Sequence, residues 1–157
     1  MTDAPLSPNP LGDAAATEDQ VGLATAAIGA GLATSIALLS LVTWWTFRLA
    51  LASGIDSVTA LSPDAAHVNM ITYGIVATLV TSGGVAWWLM MPIRSTYRRF
   101  GLSMVAVLGG FVLGAVITTI VRETLGTALL PGTAAVAALL AVLGVRRARR
   151  LARSPAP

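Results

Sequence analysis

From Val21 to Phe47 the chain carries no charged residue, and three later stretches repeat that pattern: Val68 to Ile93, Gly101 to Val121 and Leu125 to Val145. A helix of about 20 apolar residues is what a bilayer core of about 30 Å requires. Each stretch meets that length, so the runs predict four transmembrane helices. Hydrophobic residues make up 55% of the chain and charged residues 11%, where roughly a quarter of an ordinary soluble domain is charged. A chain with so few charges has too little polar surface to cover a water-soluble globule. The expected fold class is therefore an all-α membrane protein, with the four helices in a compact bundle and a polar tail at each end.

The predicted organisation is an acidic, disordered tail over 1–17, a transmembrane domain over 18–145 and a basic cytoplasmic tail over 146–157. The stretch from Met1 to Gln20 holds Pro5, Pro8 and Pro10 with Asp3, Asp13, Glu18 and Asp19. It has no basic residue and so lacks the positive start of a secretory signal peptide. Thr17, Glu18, Asp19 and Gln20 have capping-box spacing, which places a helix start near Glu18. The helices are expected at about 21–47, 63–91, 102–121 and 125–145. In the longest connection, Ser62-Pro63-Asp64 reads as a helix start, with Ser as N-cap and Pro in the first turn. Pro92 marks the exit of the second helix, because proline cannot continue the hydrogen-bond ladder. Pro131-Gly132 puts the fourth helix either just past the proline or across a kink there.

Between the second and third helices lies a basic hinge, Trp87 to Gly101, with Arg94, Arg98 and Arg99 among aromatic residues. The end of the chain adds Arg146, Arg147, Arg149, Arg150 and Arg153, whereas only Arg48 and Arg122 flank the opposite helix ends. Basic residues near helix ends collect on the cytoplasmic side, and acids count for little. That bias predicts a multi-pass protein of the bacterial cytoplasmic (inner) membrane with both termini cytoplasmic. Trp44, Trp45, Trp87 and Trp88 sit at helix ends, where indole rings favour the headgroup level. All ten basic residues are arginine, which reflects GC-rich coding rather than a binding signature.

Helices in lipid gain little from burying apolar surface, so close approach through small residues decides their packing. The third helix offers Ala106, Gly110, Gly114 and Thr118 at four-residue spacing, the second Gly74, Thr78, Ser82 and Ala86, and the first Gly22, Ala26, Ala30 and Thr34. These stripes predict a bundle with the third helix at its centre.

Little in the chain points to chemistry. Cysteine is absent, which removes disulfides and thiolate metal sites. His67 is the single histidine and belongs to a connection, so it cannot supply paired haem ligands at membrane depth. Asp and Glu are missing from all four apolar runs. No catalytic, cofactor-binding or metal site is expected, and no enzyme. Arg48 and Glu123 stand at matched outer depth; interfacial anchoring is the expected role there, with an ion pair between the two as the alternative. In the tail, Arg146, Arg149, Arg150 and Arg153 share one helical face suited to anionic lipid headgroups. Nucleic acid is not an expected partner, since no folded reader accompanies the arginines.

Three functions fit this reading. The first is a structural or accessory subunit that joins itself or a larger membrane complex through small-residue faces. The second is an oligomeric transporter or pore lined by Thr72, Thr78, Thr81, Ser82, Thr118 and Thr119. It requires those hydroxyls to converge on one water-accessible face. The third is a binder of quinone or another apolar ligand through Tyr73 and the outer charges.

Overall fold

In the computed structural model the backbone is described for residues 10–52, 65–93 and 95–153, and the side chains for 20–49, 51, 71–93 and 95–153. Four helices follow one another: α1 (Pro10–Ala52), α2 (Ala65–Leu89), α3 (Thr96–Leu125) and α4 (Leu130–Arg153), with a 3-10 turn at Thr127–Leu129 before the last. All four contain stretches long and apolar enough to cross a membrane: Gln20–Leu49, Ile71–Leu89, Thr96–Leu125 and Thr127–Arg153. The fold is an all-helical membrane bundle.

The helices outrun their apolar stretches because helical hydrogen bonding does not stop where hydrophobicity does. Thr17 to Gln20 lie inside α1, so their capping-box spacing starts nothing. With 43 residues at 1.5 Å each, α1 is about 65 Å long, roughly twice the hydrocarbon thickness. α3 begins at Thr96, ahead of the expected start at Leu102, because the Ser95 side chain accepts the Arg98 amide at 3.4 Å as an N-cap. At its other end Gly126 turns the chain with φ 84°, a value that glycine adopts without steric cost. α4 starts at Leu130, so Pro131 occupies the first turn, where its missing N–H costs nothing. The same helix continues unbroken through the arginines to Arg153. The tail over 1–9, Ser62-Pro63-Asp64 and the side chain of His67 lie outside the described residues.

α1, not α3, forms the axis. Half of its span is buried inside the bundle, against 28% for α3 and 17% each for α2 and α4. Three different faces of α1 serve three partners. Its Gly22 and Ala30 meet Leu151 and Gly144 of the antiparallel α4. Its Leu32, Ser35, Ile36 and Leu39 meet Gly109, Gly110 and Gly114 of the parallel α3. Its Gly31 and Val42 meet Ala86 and Gly74 of the antiparallel α2. Ala26, Ala27, Ala30, Ala33, Ala37, Ser35 and Ser40 are all buried, and only such small side chains let three helices close on a fourth. The stripe Ala106, Gly110, Gly114, Thr118 is buried as well, but it covers one side of α1 rather than a centre of its own. Thr78, Ser82 and Ala86 are buried in the same way.

Candidate functional site

These directions gather the hinge, the start of α3, the end of α4 and the entry of α1 at one end of the bundle. The hinge there is a core element as much as a loop. Met90 and Ile93 are buried in a cluster with Leu23, Ala27 and Ala30 of α1, Ala106 of α3 and Ala148 of α4. Ser103 directs its hydroxyl at the Met90 sulfur, 4.0 Å away. The turn is held by Arg99, whose Nη2 donates to the carbonyl oxygens of Ile93 at 2.7 Å and Met91 at 3.2 Å. The same guanidinium lies 5.3 Å from the centre of the Trp87 ring. Pro92 ends the ladder of α2, and Arg99 takes up two of the carbonyls this leaves without helical partners.

Arg149 of α4 reaches across to the hinge and sits 4.7 Å from the centre of the Trp88 ring. A cation over an indole face is worth about 0.5–1 kcal/mol at an exposed site, so this contact helps fix the end of α4 against α2. Arg98, Arg146, Arg147, Arg150 and Arg153 are exposed at this end. The expected anchors are thus brought together, but they divide into two kinds. Arg99 and Arg149 bind protein, while the others face outward. Arg94 lies outside the described residues.

At the opposite end Arg48 and Glu123 do not pair with each other. The ion pair among the described residues is Arg122 to Glu123, with Nη2 and Nε donating to Oε1 at 2.6 and 3.2 Å. Arg48 instead lies 5.8 Å from the Trp44 ring centre, one turn back on its own helix. Glu123 is satisfied by its immediate neighbour, whose side chain reaches it without a second helix moving. Trp44 packs against Trp45 with ring centroids 6.0 Å apart.

The hydroxyls proposed to line a pore do not converge. Thr78 donates to the Gly74 carbonyl at 2.8 Å and Ser82 to that of Leu79 at 3.3 Å, both bonding their own helix in the α1 interface. Thr81 and Thr119 are exposed on different helices. Tyr73 is exposed as well. Two features escaped sequence reading: the burial of Met90 and Ile93 and the clamp made by Arg99. Two apolar residues flanking a proline among arginines were the available signal. No family model, no curated protein and no solved structure matches the chain.

Proposed function

We propose that the protein is a non-catalytic accessory subunit of a bacterial inner-membrane complex, with the arginine-rich end and both termini in the cytoplasm. The observation that carries this reading is the distribution of burial. Among the described residues a helix fills the axis where a conduit would run, while α2, α3 and α4 leave most of their apolar surface uncovered. Surface of that kind suits lateral association with other helices in lipid. The one carboxylate among the described side chains, Glu123, is engaged by Arg122, which argues against acid–base work at this end. The outward arginines support docking on anionic headgroups at about 1 kcal/mol per basic residue near the surface.

The test is extraction from native membranes in a mild detergent, followed by cross-linking and mass spectrometry. Co-migration with a defined larger membrane protein, in constant ratio, is expected. A chain that migrates alone at every detergent concentration, with no cross-linked partner in intact membranes, would overturn the reading.

A further inference from the structure

Six described threonines, Thr25, Thr34, Thr46, Thr78, Thr124 and Thr133, donate to the carbonyl four residues back. That bond is how a hydroxyl on a helix in lipid ordinarily satisfies itself. Thr43, Thr118 and Thr119, like the exposed Thr81 of α2, do not make it, and these three line one cleft of about 170 Å³ on the α1–α3 seam. Thr118 is 5% exposed, and its hydroxyl oxygen is buried without a hydrogen-bond partner. The cleft is completed by Arg122, whose contact with Glu123 occupies Nε and Nη2 and leaves Nη1 free to donate. A buried hydroxyl without a partner costs about 1–3 kcal/mol, so Thr118, in a cleft shared with the partly exposed Thr43, the exposed Thr119 and the Arg122 guanidinium, calls for an acceptor.

We propose that this cleft binds a phosphate oxyanion, held by the Arg122 guanidinium and by the hydroxyls of Thr43, Thr118 and Thr119. The chemistry fits, since a phosphate offers several acceptor oxygens and pairs with arginine through charge-assisted bonds. The depth fits a lipid phosphodiester. Thr43 adjoins Trp44, and indole rings at helix ends lie at the headgroup level. Leu39 and Ala115 line the inner side of the cleft, where the glycerol and first acyl carbons of such a lipid would rest. The site lies at the end remote from the hinge and does not depend on the accessory role.

The experiment uses the full chain in detergent, with thermal unfolding and native mass spectrometry as readouts. Dioleoyl phosphatidylglycerol is compared with dioleoylglycerol, which shares its chains but lacks phosphate, and with inorganic phosphate. Phosphatidylglycerol is expected to raise Tm and to remain bound in the gas phase, with dioleoylglycerol doing neither. An equal rise with inorganic phosphate would support the site with free phosphate as its ligand. Thr118→Val, near-isosteric and without the unpaired hydroxyl, should be at least as stable as the wild type before lipid is added and retain the lipid about tenfold less, a loss of about 1.4 kcal/mol. Arg122→Gln serves as the second variant should Thr118→Val not fold. Thr81→Val, on an exposed face of α2, should behave as wild type. Equal lipid retention by Thr118→Val, Arg122→Gln and wild type, or equal shifts with dioleoylglycerol, would overturn the proposal.

Discussion

At the scale of single residues, what a glycine touches determines what an added methyl costs. A Cβ at Gly110 would lie 2.6 Å from Ser35 Oγ and 2.9 Å from its Cβ, with the Leu32 backbone 3.3 Å away. A Cβ at Gly114 would meet the end of the Leu39 side chain at 2.7 Å, and that methyl can rotate aside. Gly84 has nothing within 4 Å. Overpacking costs about 1–3 kcal/mol where neighbours cannot give way. Thermal unfolding in detergent should therefore rank the alanine variants, with Gly110→Ala losing the most Tm, Gly114→Ala less, and Gly84→Ala none. The four-residue spacing made Gly110 legible as a packing position. Its partner Ser35 was not, because α1 carries small residues on every side and spacing alone does not choose among them.

At the scale of elements, the hinge is ordered by a side chain that enters from the following helix. Arg99 satisfies two turn carbonyls and covers Trp87, whereas Arg98, one residue earlier, is exposed. Arg99→Gln is expected to destabilise the bundle by about 1–3 kcal/mol, the range for a charged hydrogen-bond donor, with Arg98→Gln within about 0.5 kcal/mol of wild type. Arg99→Lys should recover only part of the loss, since an ammonium has no planar fork to lay on the ring while donating. Denaturant titration followed by tryptophan fluorescence checks all three, since Trp87 and Trp88 at the hinge and Trp44 and Trp45 at the other end follow unfolding of the whole bundle. The arginine triplet was visible in the sequence as a basic loop. That one of the three would turn inward depended on α3 starting at Thr96, which puts Arg99 one helical turn past the Ser95 cap and beside the turn it holds.

At the scale of the whole molecule, charge is polarised along the bundle axis. Arg98 and the exposed arginines of α4 collect at one end, and Arg48 and Arg122 stand at the other. Under the orientation proposed above, Thr96 faces the cytoplasm and Thr124 the opposite side. The chain has no cysteine, so single substitutions report on sidedness without background. In intact cells a membrane-impermeant maleimide should label Thr124→Cys, reaching it through the outer membrane where there is one, and should label Thr96→Cys only after the cytoplasmic membrane is opened. The reverse pattern would invert the topology. The exposed apolar faces of α2, α3 and α4 belong to this scale too. They need either lipid or another protein against them, and the cross-linking experiment distinguishes the two.

What the sequence by itself determined was the set of spans and the polarity of their ends. A bilayer acts on each residue separately: hydrocarbon excludes charge, interfaces collect indoles and arginines, and a span must reach a minimum length. Those demands are met locally and can be read locally, as at Val21 to Phe47 or in the arginines after Val145. Only the tertiary structure decided that α1 is the axis, that Glu123 binds Arg122 and not Arg48, and that the Thr118 hydroxyl is buried without a partner beside a cleft between two helices. Three helices carried comparable small-residue stripes, so the choice rested on which faces close simultaneously around a common neighbour. The uncharged run from Val21 to Phe47 is also the helix on which the other three close.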